Sequence, residues 1–104
     1  TIIGKYCNIG QEVHITGPTV LGAGCTIGRG TSIEEAILWQ NVNLDVDITV
    51  WNSVIGNECI VKDCTRIIDK SIISDNNYIG SSNRLERGIR IWPGNTIENN
   101  TISF

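Results

Sequence analysis

An aliphatic side chain recurs at every sixth position through the first third of the chain: Ile3, Ile9, Ile15, Leu21, Ile27 and Ile33. Gly4, Gly10, Gly22 and Gly28 each follow one of these anchors, and Cys7, Val13, Thr19, Cys25 and Thr31 sit four residues beyond one. A period of six fits neither a helical stripe nor a heptad, which would lose phase within two turns. A fixed short period marks a stacked repeat, in which each unit buries its apolar side against its neighbours.

The anchors continue as Leu38, Leu44 and Val50, then Ile55, Val61, Ile67, Ile73, Ile79, Leu85, Ile91 and Ile97. The step is six except from Ile33 to Leu38 and from Val50 to Ile55, where it is five and one turn residue is dropped. Two residues before each anchor lies a second slot: Ala36, Val42, Ile48, Ser53, Cys59, Thr65, Ser71, Asn77, Asn83, Ile89, Asn95 and Thr101 follow the five named above. Strand alternation sends anchor and slot inward and the residues on either side of the anchor outward. Gly17-Pro18, Gly24, Gly30, Asn57-Glu58, Asp75-Asn76, Pro93-Gly94 and Asn99-Asn100 read as tight polar corners. No segment carries a 3.6-residue stripe, so the expectation is an all-β chain of short stacked strands.

Composition narrows the function classes. The 104 residues make one domain, small for a conventional core, though a solenoid escapes that limit because each rung needs only its neighbours. A net charge of −3 with scattered basic residues argues against nucleic-acid binding. No apolar run approaches the roughly 20 residues of a membrane helix, and no signal peptide precedes the first repeat. The chain starts inside the repeat at Thr1 and contains no methionine, which reads as a piece of a longer protein. Cys7, Cys25 and Cys59 fall in the inward slot as small apolar fillers, and Cys64 falls in a turn. Without a CxxC pair they suggest neither zinc nor disulfides, but reduced thiols of a cytoplasmic protein.

The pattern [LIV]-G-x-x-[STAVC]-x, as in Ile9-Gly10-Gln11-Glu12-Val13 and Ile27-Gly28-Arg29-Gly30-Thr31, resembles the hexapeptide repeat of left-handed parallel β-helices. The resemblance implies a single-stranded left-handed parallel β-helix with three hexads per triangular coil and between five and six coils. Ala36-Ile37-Leu38-Trp39-Gln40-Asn41-Val42 and the segment from Gly88 to Glu98, with Ile91-Trp92-Pro93-Gly94, are similar to the C-terminal β-helix of nucleotide-sugar pyrophosphorylases of the mannose-1-phosphate guanylyltransferase kind. That family's catalytic domain binds nucleotide through a glycine-rich loop and uses Mg²⁺, and none of those residues matches here. The resemblance therefore implies a non-catalytic domain partnered by its own N-terminal nucleotidyltransferase domain, with Mg²⁺ and nucleoside triphosphate bound there.

Stacking the anchors in threes assigns each to a face. The residues just before the anchors read Ile2, Val20, Ile37, Val54, Ile72 and Arg90 on the first face. They read Asn8, Thr26, Asn43, Ile60, Tyr78 and Thr96 on the second, and His14, Ser32, Thr49, Arg66 and Arg84 on the third. Trp39 and Trp92 also project from the first face, just after their anchors. An aliphatic and aromatic strip of this kind is rarely left to water, so Val20, Ile37, Trp39, Val54, Ile72 and Trp92 form the candidate interface. It would meet another copy, making a homo-oligomer, or the catalytic domain.

Other chemistry is weaker. Hexapeptide acyltransferases resemble this repeat and use a histidine as general base, and His14 is the sole histidine. It lies on a regular strand with no extruded loop to form a groove, and reads as a solvated strand residue. A purely structural subunit module, like the related β-helices of regulatory initiation-factor subunits, is the third reading. Trp51 is expected to pack beside Ile68. Arg84, Arg87 and Arg90 read as a solvated corner interrupted by Glu86, and Asp45, Asp47, Asp63, Asp69 and Asp75 do not converge into a cation cage. Asn77 and Asn95 are expected to stack and pair amide to amide. The open rungs at both ends are expected to need covering.

Overall fold

The computed structural model describes residues 1–102. Among these are seventeen strands of two or three residues and no helix. They stack as three parallel sheets of six, six and five strands, each strand pairing with the third before and the third after it. The register follows the anchors without a slip: Ile3 pairs with Leu21, Leu21 with Leu38, Leu38 with Ile55, Ile55 with Ile73 and Ile73 with Ile91. The result is a left-handed parallel β-helix of between five and six coils.

Every coil is bonded to the next along its strands. On the first face, Val20 N–H donates to Ala36 O, Ile37 to Ser53 O, Val54 to Ser71 O and Ile72 to Ile89 O, all at 2.9–3.1 Å. The anchors of the middle coils project into one shared axis; Leu38, Ile55, Val61, Ile67, Ile73, Ile79 and Leu85 are fully buried. The terminal coils differ. At the N-terminal end Ile3 is 46% and Ile9 42% exposed, because no coil precedes them, whereas Ile91, the last anchor of its sheet, is only 7% exposed.

The second inward slot does more than fill space. Where it holds Cys, Ser, Thr or Asn, the side chain donates to the carbonyl of a residue that follows an anchor, while Val13, Ala36, Val42, Ile48 and Ile89 only fill it. Cys25 Sγ reaches Trp39 O at 3.1 Å, Cys59 Sγ reaches Ser74 O at 2.9 Å and Thr65 Oγ1 reaches Gly80 O at 2.8 Å, each on the next coil. Thr19, Ser71 and Asn77 bond the equivalent carbonyl at their own preceding corner. A buried carbonyl left unpaired would cost about 1–3 kcal/mol, which explains why small donors, thiols included, occupy this slot.

The expected amide-to-amide pairing of Asn77 and Asn95 is not what forms. Each side-chain NH₂ goes to its own corner, Ser74 O at 2.8 Å and Trp92 O at 2.9 Å. Asn77 Oδ1 is thereby free to accept the backbone N–H of Asn95, at 2.7 Å. The coils are linked, but by side chain to backbone. Asn83 is satisfied in the same way, donating to Gly80 O and Glu98 O and accepting from the N–H of Thr101 and Ile102.

Corners carry the strain. Tyr6, Glu12, Asn41, Asp47, Glu58, Cys64, Asn76 and Ser82 all have φ between 57 and 63°. An L-residue there costs about 1–2 kcal/mol, and glycine takes the same place at Gly24 and Gly30. The left-handed turn points the N–H back at the preceding coil: Glu58 N–H bonds Gln40 O at 2.9 Å and Asn76 N–H bonds Asn57 O at 2.9 Å. At the third corner the left-handed turn comes two residues after the anchor rather than three, at Gly17, Glu35, Asn52, Asp69 and Arg87, in five- and six-residue steps alike.

Two substitutions test this packing. Ile55→Ala should lower the unfolding free energy in a urea titration by about 2–5 kcal/mol, while Ile2→Ala, on the surface, should change it by about 0.5 kcal/mol or less. Gly22→Ala should also destabilise, because a Cβ there would lie 2.7 Å from the carbonyl carbon of Trp39.

Candidate functional site

The first sheet brings the candidate residues together as the periodicity predicts. Ile2, Val20, Ile37, Val54, Ile72 and Arg90 form one outward ladder, each paired with the next. The strands impose this order because alternate residues face opposite sides, and the anchors have taken the inside. Ile37 is 42% exposed, and Val54 and Ile72 are half-buried by their neighbours. The ladder after the anchors reads Gly4, Gly22, Trp39, Gly56, Ser74 and Trp92, so two indoles rise from a row of very small residues. Trp39 is 54% and Trp92 77% exposed. Between Trp39 and Pro93 lies a notch of about 330 Å³ with Gly56, Ser74, Val54 and Ile72 in its lining.

The second face carries Asn8, Thr26 and Asn43 before Ile60 and Tyr78, and presents no comparable strip. The third face holds a shallow groove of about 540 Å³. His14, Ser32, Thr49 and Arg66 line one side of it, and Thr16, Glu34, Trp51 and Ile68 the other. Trp51 and Ile68 thus lie side by side as expected, while the regular strand at His14 also borders a groove, which the periodicity alone did not reveal.

The arginine corner departs from expectation. Glu86 is only 8% exposed, and its carboxylate lies 3.0 Å from Arg84 Nε and 3.7 Å from Arg87 Nε. Both guanidinium groups stay solvated, their side chains 48% and 75% exposed, so what departs from expectation is the acid, buried and ion-paired between them. Arg90 lies on the first face and takes no part in it.

Among the described residues no group of His, Cys, Asp or Glu is placed to hold a metal. Asp45 lies 3.3 Å from Lys62. Partial burial works against its charge, but hydrogen bonding to Asp63 and Lys62 outweighs that and holds the carboxyl below its usual range. All four cysteines are free thiols. Burial pushes Cys25 and Cys59 up, which keeps them protonated and unreactive.

Inward anchors on three faces, an unbroken axial core and corners without extruded loops define a hexapeptide-repeat β-helix domain. The family described as the GMPPB C-terminal domain matches residues 1–103, and the chain belongs to that family, among the C-terminal domains of nucleotide-sugar pyrophosphorylases. Over 70 residues it is 33% identical to glucose-1-phosphate adenylyltransferase of Desulfitobacterium hafniense strain DSM 10664 / DCB-2, and equally to that of strain Y51. The aligned part is 67% of this chain and 17% of each relative, so the chain spans about a sixth of their length. A solved structure from Bacillus cereus, described provisionally as an acetyltransferase, is 23% identical with a TM-score of 0.48, covering 99% of this chain and 72% of that one.

Thiol labelling tests the placement of the slots. Cys64, exposed at a corner, should react with a disulfide reagent at the rate of a free thiol, while Cys25 and Cys59 react only as the protein unfolds. Fast modification of all four in native buffer would contradict the inward assignment.

Proposed function

We propose that the chain is the non-catalytic β-helix of a sugar-nucleotide pyrophosphorylase of the mannose-1-phosphate guanylyltransferase kind, acting in the cytoplasm. In this reading an N-terminal domain, with Mg²⁺ and a nucleoside triphosphate, transfers the nucleotidyl group to a sugar 1-phosphate and releases pyrophosphate. The β-helix holds that domain at a fixed distance and provides the surface through which copies associate. The family match over residues 1–103 carries the proposal.

Several features support it. The axis is filled by aliphatic anchors, which makes the domain a stiff prism and leaves its interior no room for a substrate. The half-exposed Ile3 and Ile9 give the first coil an apolar end suited to packing against a preceding domain. The apolar first face suits self-association. The guanylyl and mannosyl assignments rest on the likeness of the segments Ala36 to Val42 and Gly88 to Glu98, since the two adenylyltransferase relatives act on glucose 1-phosphate by name.

The test compares the 104-residue chain with the product of its intact gene. With GTP, mannose 1-phosphate and Mg²⁺, the intact product should release pyrophosphate and the chain alone none. Acyl transfer from a thioester by the chain alone, abolished by His14→Ala, would overturn the proposal in favour of an acyltransferase.

A further inference from the structure

The first face is shaped to receive a second copy of itself. Its two dimensions are bounded by the largest Cα extents of the domain, 31 and 24 Å, whose product is about 740 Å². A stable protein interface buries about 600–1,000 Å² per partner, so a dimer built on this face must use most of it. Two faces can be laid together by a two-fold axis running either along the coil axis or along the strands. The first arrangement sets each ladder against the other ladder at the same level, and Trp39 then meets Ile37 of the other copy, bulk against bulk. The second runs the two prisms antiparallel and sets each ladder against its own counterpart.

Antiparallel prisms overlap on all six strands in one register only, with the first strand opposite the sixth, the second opposite the fifth and the third opposite the fourth. In that register the ladder after the anchors is self-complementary. Trp39 meets Gly56 of the other copy and Trp92 meets Gly4, while Gly22 meets Ser74. Each indole therefore enters a position with no side chain beyond a hydrogen. The notch of about 330 Å³ over Gly56 and Ser74 is the receiving space for Trp39. The two Trp39 indoles then lie one strand apart across the axis, about 4.8 Å, within the spacing of offset-stacked rings.

The aliphatic ladder agrees with the same register. Ile37 meets Val54 at the centre and Val20 meets Ile72, while Arg90 falls at the rim over Ile2. There its stem covers the isoleucine and its guanidinium stays in water. Apolar centre, charged rim and buried aromatic anchors are the anatomy of a stable interface.

We propose that this chain forms an isologous antiparallel dimer through its first face, with Trp39 of each copy seated on Gly56 of the other. The inference rests on the reading of that face as the self-association surface and adds the partner and its register.

Sedimentation and cross-linking of the 104-residue chain separate the two claims. In the wild type a dimer is expected. Ile37→Lys with Val54→Lys should give a monomer with unchanged circular dichroism, and Trp39→Ala should weaken association about tenfold or more. In a Cys64→Ser background, Val20→Cys and Ile72→Cys proteins should be joined by a short bis-maleimide when mixed, and neither should cross-link alone. A dimer that the lysines dissolve but that cross-links Ile72→Cys to Ser74→Cys instead would keep the surface and overturn the antiparallel register. A wild-type monomer, or a dimer untouched by both lysines, would overturn the surface and the inference together.

Discussion

The hydrogen-bonded stacking of one coil on the next is the constraint from which the rest follows. Each strand is two or three residues long, far too short to persist alone. It survives because its N–H and C=O groups are shared with the coils above and below, and because the same stacking buries an aliphatic anchor from each side. Once the register is set on one face it is set on all three, since the chain returns to each face after seventeen or eighteen residues. A slip by one residue would turn every anchor outward.

That stacking explains two features that would otherwise look unfavourable. Left-handed corners at Asp47, Glu58 and Cys64 are strained for non-glycine residues, yet each aims an N–H at the coil before it. Polar side chains in the interior are likewise costly unless paired. Here Thr65, Asn77 and Asn83 sit against corner carbonyls that the ladder cannot reach, and no buried side-chain polar atom of the described residues lacks a partner. The interior is therefore aliphatic along the anchors and hydrogen-bonded along the slots.

Most of the architecture was legible because a six-residue period leaves one assignment of inside and outside. The anchors, the slots, the two five-residue steps and the composition of each face could all be read from spacing alone. What spacing could not supply was the direction of donors. The slot residues read as small fillers, and nothing in their spacing signals that Cys25, Cys59 and Asn77 all reach for carbonyls after an anchor. The Asn77 and Asn95 amides differ from expectation for the same reason: each finds a corner carbonyl three residues back rather than the amide one coil away. A carboxylate between arginines looks like a surface interruption in the sequence, and only the fold of the corner brings Glu86 inward. The candidate face was visible as a ladder, but the notch over Gly56 needed three dimensions.

Function follows from what the stacking leaves outside. A filled prism has no interior site, so whatever it does must be done with its faces and ends, and the apolar strip is the surface set apart from the others. The measurement closest to the central claim is a methyl nuclear Overhauser spectrum of the chain. Cross-peaks joining Leu38, Ile55 and Ile73 in sequence, and Leu44, Val61 and Ile79 likewise, are predicted, because each set is one column of the shared core. Absence of those contacts, with cross-peaks instead between residues three or four apart, would contradict coil stacking and everything built on it.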